Sequence, residues 1–143
     1  MRCSAAGFGI LMWAAAATAG STDPLTYLGF QRDMFLDGAT DVAMSANGRS
    51  VYVVAEYDNA VSIFSRGLTT GQLGWVGAVR SSDIGANIID TPTAVAISPD
   101  GGTVYVVGES GLAVFQRNTS SGALTYLEVY KDGVGGVDGL NGA

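Results

Sequence analysis

The sequence predicts an all-β fold of repeated four-stranded antiparallel units, and three observations carry that expectation. Val42-Ala43-Met44-Ser45-Ala46-Asn47-Gly48-Arg49-Ser50-Val51-Tyr52-Val53-Val54 recurs as Val95-Ala96-Ile97-Ser98-Pro99-Asp100-Gly101-Gly102-Thr103-Val104-Tyr105-Val106-Val107, an offset of 53 residues (42 to 95). The offset drops to 51 (61 to 112) where Val61-Ser62-Ile63-Phe64-Ser65-Arg66 answers to Leu112-Ala113-Val114-Phe115-Gln116-Arg117. Self-similarity at a period near 50 marks a repeat architecture. Glycine supplies 21 of the 143 residues, about twice the usual ~7%, among many β-branched and aromatic residues, a mixture that suits short strands and tight turns. Beyond the N-terminus no stretch has the helical period.

Residues 1–19 have a separate explanation. Met1-Arg2 supplies a positive start, residues 5–17 are apolar apart from glycines, and Ala17-Thr18-Ala19 offers the small residues a signal peptidase reads before Gly20. The segment is expected to be a cleaved signal peptide, being short for a transmembrane span of about 20 residues. A buried helix or an uncleaved anchor is the competing reading. Cys3 lies too early for lipid attachment at a cleavage site. The expected location is therefore outside the cytoplasm, either secreted or in the periplasm or cell envelope, with no membrane span after cleavage.

Residues 20–143 are expected to form the repeat domain. Within the first copy, hydrophobic runs at 41–45, 50–56, 60–66 and 72–80 are separated by turn signals. Asn47-Gly48 and Asp100-Gly101 read as two-residue hairpins, because both dipeptides accept the positive φ such turns demand. The second connection is Tyr57-Asp58-Asn59 in one copy and Ser110-Gly111 in the other, a length difference that explains the change of offset. Thr69-Thr70-Gly71 and Ser120-Ser121-Gly122 punctuate the third. Four antiparallel strands per unit of about 50 residues is the layout of a β-propeller blade. A solenoid repeat is usually shorter, and a sandwich has no reason to repeat Ser-x-x-Gly-x-x-Val-Tyr-Val-Val. Runs such as Val51-Tyr52-Val53-Val54 lack alternation, as a sheet covered on both faces should. The first blade is placed at 41–80 and the second at 94–130.

A third, partial copy opens the domain. Leu25-Thr26-Tyr27-Leu28 matches Leu124-Thr125-Tyr126-Leu127 at an offset of 99 (25 to 124), and Arg32-Asp33 matches Lys131-Asp132. Residues 25–33 are read as an orphan outermost strand, of the kind that closes a ring by completing its last blade. Residues 131–143 are read as a glycine-rich link toward a further inner strand. Together these lead to the expectation of an N-terminal piece of a longer propeller whose partners are the remaining blades of the same chain; assembly of a short chain into a ring is the alternative.

Ser98-Pro99-Asp100-Gly101-Gly102-Thr103-Val104-Tyr105-Val106-Val107, with Leu112-Ala113-Val114-Phe115-Gln116-Arg117 and Gly122-Ala123-Leu124-Thr125, resembles the lactonase-like, YVTN-type seven-bladed β-propeller repeat. The resemblance covers roughly residues 25–143. It departs at Ala46-Asn47, where the family usually has Pro-Asp. It implies a family that mixes sugar lactonases, including the 6-phosphogluconolactonase type, with binding propellers.

Once residues 1–19 are removed the chain has neither cysteine nor histidine, and six basic residues face thirteen acidic ones. Disulfides, thiol nucleophiles, thiolate metal sites and a catalytic triad are excluded. The acidity excludes a nucleic-acid partner, which requires a basic footprint. No Gly-x-Ser-x-Gly or phosphate-binding glycine motif is present.

If each blade runs from inner to outer strand, the loops after the second strands and the links between blades share one rim. That rim collects Asp33, Asp37, Asp41, Glu56, Asp58, Asp83, Asp90, Glu109, Asp132 and Asp138, with Arg49, Arg66 and Arg117 on the opposite rim. Asp37, Asp41, Asp58 and Asp90 are the candidates for contacting a small-molecule or protein ligand. Asp132, Asp138 and Asn141 place oxygen ligands on a flexible loop, as calcium prefers, but match no EF-hand spacing. They are read as solvated turn residues, with no cofactor expected and calcium as the alternative. Glu56 and Glu109 recur in register, so they are read as structural rather than catalytic, as are Tyr52, Tyr105, Phe64, Phe115, Trp75 and Tyr126. Asn118-Thr119-Ser120 is a glycosylation sequon. The expected function is an exported binding or scaffold module with an acidic rim. The alternative, implied by the resemblance, is a sugar-lactone hydrolase of the 6-phosphogluconolactonase type, drawing on blades beyond these two; phosphorylated sugar lactones, however, are cytoplasmic substrates.

Overall fold

The computed structural model describes residues 27–29, 34–85, 88–109 and 111–140. The expected signal peptide lies outside them, as do most of the expected outermost strand at 25–33 and Asn141. Among the described residues, eight strands form two four-stranded antiparallel sheets. The first holds β1 (Ala39–Met44), β2 (Ser50–Ala55), β3 (Ala60–Arg66) and β4 (Leu73–Arg80), paired in that order. A four-residue helix, α1 (Ser81–Ile84), follows. The second sheet repeats the arrangement with β5 (Pro92–Ile97), β6 (Thr103–Gly108), β7 (Gly111–Arg117) and β8 (Leu124–Tyr130). The all-β blade architecture expected from the repeat is the observed one. Among the described residues, the short α1 is the one regular element that the hydrophobic pattern did not signal.

The repeat extends to the irregularities. A bulge interrupts β1–β2 pairing between Ala39 and Asp41, and its counterpart interrupts β5–β6 between Pro92 and Ala94. The residue left over is a threonine both times: Thr93 Oγ1 donates to Val107 O (3.3 Å), whereas Thr40 Oγ1, 3.4 Å from the equivalent Val54 O, donates at 2.7 Å to Pro92 O at the start of β5. A second pair of bulges falls between Ile63 and Phe64 and between Val114 and Phe115. Bulges raise twist locally, and these fall at the pairing of the inner and of the outer strand in each sheet.

The first turn in each blade corrects the sequence reading. Ser45 N–H donates to Ser50 O (2.9 Å) and Ser98 N–H to Thr103 O (2.9 Å), so the hairpins hold four residues, not two. Only the glycines adopt positive φ, Gly48 at 69° and Gly101 at 72°, whereas a two-residue type I′ turn needs two such residues. Side chains close the longer loop. Ser50 N–H donates to Ser45 Oγ (3.0 Å) and Arg49 N–H to Asn47 Oδ1 (3.1 Å), with Thr103, Ser98, Gly102 and Asp100 making the same bonds in the second blade. The recurrent Ser-x-Asn/Asp-Gly is thus a hydrogen-bonded loop motif.

The core is the seam between the blades. Tyr52 and Val54 of β2 with Val61 and Ile63 of β3 meet Val104 and Val106 of β6 with Ala113 and Phe115 of β7. Ile89, from the link between blades, is buried in the same cluster. Phe64 lies edge-on to Trp75 at 5.4 Å and Phe115 to Tyr126 at 6.0 Å, so the outer-strand aromatics cover each blade.

Candidate functional site at the acidic loop end

The hairpins after β2 and β6 and the links entering β1 and β5 do share one end of the molecule, stitched by backbone. Glu56 N–H donates to Gly38 O (2.8 Å), Tyr57 N–H to Asp37 O (3.2 Å), and Ser81 N–H to Asn59 O (3.0 Å). Asn59 takes a positive φ of 47°, which asparagine tolerates, and its Oδ1 accepts Thr91 N–H at 2.7 Å. The second hairpin is tighter, with Gly108 paired directly to Gly111.

The expected rim residues fall into distinct roles. Asp58 Oδ2 accepts Asp37 N–H at 2.8 Å, holding the link to the hairpin. Asp41 Oδ1 accepts Val42 N–H and its Oδ2 accepts Val95 N–H, each at 2.8 Å, so this carboxylate ties the inner strand of one blade to that of the next. Asp83 is paired with Arg80 at 2.9 Å on the exposed surface; the Arg80 guanidinium holds its carboxyl below the ordinary range. Glu109 Oε2 accepts Thr91 Oγ1 at 3.4 Å. Asp90 is half-buried beside this link, and Asp37 is exposed.

Asp132 Oδ1 accepts the N–H groups of Gly139 (2.8 Å) and Leu140 (2.9 Å). Ser81 does the same for the earlier link, its Oγ accepting Ile88 N–H (3.2 Å) and Ile89 N–H (3.3 Å). The two links are therefore closed alike, once by a hydroxyl and once by a carboxylate. Asp138 is exposed. Among the described residues no three His, Cys, Asp or Glu side chains are gathered as a metal site requires. Asn118, of the sequon, has its Oδ1 occupied by Ser120 and Ser121 N–H at 3.0 and 2.9 Å.

One placement differs from the sequence reading. Arg117 does not sit on an open rim: it is 4% exposed and spans the seam between blades. Its Nε donates to Tyr52 Oη (2.6 Å), its Nη2 to Ser50 Oγ (2.9 Å) and its Nη1 to Gly101 O (3.0 Å), while Tyr52 Oη donates to Gly122 O (2.7 Å). A guanidinium can be buried this way because each face of its fork meets an acceptor. The signal was present in the repeat, where Arg66 and Arg117 close their copies in register, but charge alone pointed to the surface.

Two antiparallel four-stranded sheets packed face to face, with inner strands β1 and β5 adjacent through the Asp41 bridge, define consecutive blades of a β-propeller. A family model described as lactonase, 7-bladed beta-propeller, matches residues 36–136, and the chain belongs to that family. Solved structures agree. A Bacteroides uniformis protein provisionally named a 6-phosphogluconolactonase is 25% identical, with a TM-score of 0.58 over 68% of this chain and 28% of its own. A Desulfotomaculum acetoxidans protein of unknown function is 26% identical, with a TM-score of 0.57 over 73% and 32%. The periplasmic gluconolactonase of Pseudomonas aeruginosa is 24% identical, with a TM-score of 0.51 over 63% and 25%. The chain thus spans about a quarter to a third of the length of these structures. No curated protein sequence matches. Among the described residues no helix is long and apolar enough to cross a membrane.

Proposed function

We propose that these two blades belong to a lactone hydrolase acting on a sugar δ-lactone of the gluconolactone type. The observation that carries this reading is the match of both blades, residues 36–136, to the lactonase propeller family, supported by the Bacteroides uniformis neighbour. Hydrolysis of a lactone needs a group to activate water and donors for the developing oxyanion. With no histidine in the chain, carboxylates are the bases on offer. Asp41, Asp58 and Asp132 already hold backbone N–H groups, so Asp37, Asp90 and Glu109 at the loop end are the better candidates for substrate or water. The remaining catalytic groups, and the ring itself, are proposed to come from further blades of the same repeat.

Export by residues 1–19 is part of the proposal and is compatible with lactone chemistry. One structural neighbour is named as both periplasmic and a gluconolactonase. A binding or scaffold role is the second reading, and the use of three rim carboxylates as backbone clasps favours it. The deciding experiment is a pH-stat assay of glucono-δ-lactone and its 6-phosphate with the protein that carries these blades, with and without a chelator. Acid release above the spontaneous rate is expected. Spontaneous rates in both conditions would leave the scaffold reading standing alone, and loss of turnover on chelation would assign a divalent-cation requirement, with calcium named only if calcium alone restores it.

A further inference from the structure

The first hairpin at the loop end carries a tyrosine that the repeat does not account for. Glu56 and Glu109 are counterparts at an offset of 53 (56 to 109), and Ala60 and Gly111 at 51 (60 to 111), so the two extra residues of the first blade fall within 57–59. Tyr57 belongs to that insertion and is 71% exposed, whereas Tyr52, on the strand before it, is fully buried in the seam. The exposed Tyr105 and Tyr130 lie within β6 and β8, on sheet surface that a neighbouring blade covers in a ring. Tyr57 lies on a loop beyond the strands, where the packing of blade on blade does not reach. It contributes little to the core, since most of its apolar surface stays in water.

Its ring is nevertheless held in place. A Cβ on Gly38 would lie 2.9 Å from Tyr57 Cδ2 and 3.0 Å from Cγ, so the ring rests against the glycine. Gly38 has a φ of 68°, but its counterpart Thr91 carries a φ of 45° with a side chain. Backbone conformation alone therefore does not demand glycine at this place; room for the ring does. Tyr57 N–H donates to Asp37 O (3.2 Å) and Asp37 N–H to Asp58 Oδ2 (2.8 Å), which fixes the hairpin against the link entering β1. One side of the ring is thus supported by backbone, and the rest faces solvent. The Asp37 side chain, next to Gly38, is exposed and makes no hydrogen bond among the described residues.

We propose that Tyr57 is a stacking platform for the sugar ring of the substrate, with the Asp37 carboxylate accepting hydrogen bonds from hydroxyls at the ring's edge. This role rests on the lactone reading above and assigns that reading's substrate to named side chains. A pyranose-sized δ-lactone has C–H groups on its faces and hydroxyls around its rim. Laying a face on the phenol ring removes apolar surface from water on both partners. The hydroxyls left at the edge then meet a carboxylate, which accepts at both oxygens. The sugar face stacks equally well before and during hydrolysis, because the chemistry occurs at the carbonyl. Tyr57 is therefore a substrate-binding residue whose loss raises KM and leaves kcat nearly unchanged.

The test uses the protein that carries these blades, with glucono-δ-lactone for turnover and glucono-δ-lactam, a hydrolysis-resistant amide isostere, for calorimetric binding. Tyr57→Ala is expected to raise KM and the lactam dissociation constant about tenfold, with kcat within about twofold of wild type. Tyr57→Phe keeps the ring and is expected to recover most of that loss, while Asp37→Ala is expected to weaken binding about threefold. Both residues are exposed, so circular dichroism is expected to show the wild-type fold in every variant. Turnover with KM and lactam affinity unchanged in Tyr57→Ala would overturn the platform and leave the lactone reading intact. Lactam binding that weakens in Tyr57→Ala, without turnover by any form, would support the platform and remove hydrolysis. Neither turnover nor lactam binding by wild type would overturn both.

Discussion

The two blades share strand order, bulges and loop motifs, yet they solve the β2–β3 type connection differently. In the first blade residues 56–59 leave room, and the flanking positions are Ala55 and Ala60, both buried. In the second the loop is two residues shorter, Gly108 pairs with Gly111, and both alanines have become glycine. The reason is steric. A Cβ on Gly108 would lie 2.4 Å from Asp90 O, and one on Gly111 would lie 2.1 Å from Tyr130 O, with Gly111 at a φ of 117°. Shortening a hairpin brings the neighbouring link and outer strand against its ends, and only a residue without a side chain fits.

Substitution at this pair of positions should separate the blades most strongly. Gly111→Ala is expected to destabilise by about 2–5 kcal/mol, combining overpacking of about 1–3 with positive-φ strain of about 1–2. Ala60→Gly, its mirror in the first blade, should lose only about 1 kcal/mol through backbone entropy. Urea unfolding of the two variants checks this, and equal losses would show that the second hairpin is not sterically closed.

The arginines offer the next contrast. Arg117 is buried against Tyr52, Ser50 and Gly101, while Arg66 is half-buried and its Nη1 donates to Gly48 O at 3.3 Å. Arg117→Ala leaves the Ser50 hydroxyl and the Gly101 carbonyl without their partner and is expected to lose about 2–4 kcal/mol, since bonds to charged groups contribute about 1.5–3. Arg66→Ala should change stability by less than about 1 kcal/mol. Thermal melts distinguish them. A similar loss at both positions would show that Arg66 is held as firmly as Arg117.

These contrasts also mark what could be read from the chain alone. The four-strand unit was legible because Ser-x-x-Gly and Val-Tyr-Val-Val recur with turn residues at fixed offsets, and short-range patterns of that kind record local hydrogen bonding directly. The bulges at Thr40 and Thr93 were not legible, because an extra residue in one strand leaves no mark on composition. Arg117 was misplaced because burial of a charge depends on acceptors supplied by Ser50 and Tyr52, far away in sequence. Asp41 shows the same limit at the rim. As a lone acidic residue among other acids it resembled a ligand contact, and only the fold reveals that it grips Val95 N–H of the next blade. Position on a rim follows from strand order; what a carboxylate grips there does not.

The smallest expected difference lies in the first hairpins, which are alike in geometry but not in titration. Asp100 accepts the Ser98 hydroxyl and Gly102 N–H, and these bonds hold its carboxyl below its ordinary value of 3.8. Asn47 occupies the same place in the first blade and carries no charge to lose. A carboxyl held below its ordinary value stabilises the fold above that value and loses its contribution as pH falls through the lower, folded-state value. Hydrogen exchange at Gly102 N–H is therefore expected to quicken, after correction for the intrinsic rate, as pH drops from 5 to about 2, while Arg49 N–H, bonded to Asn47, should show no such step. Asp100→Asn should abolish the step. Its persistence in that variant would move the acid sensitivity away from Asp100 and onto another carboxylate, such as Asp41 between the inner strands.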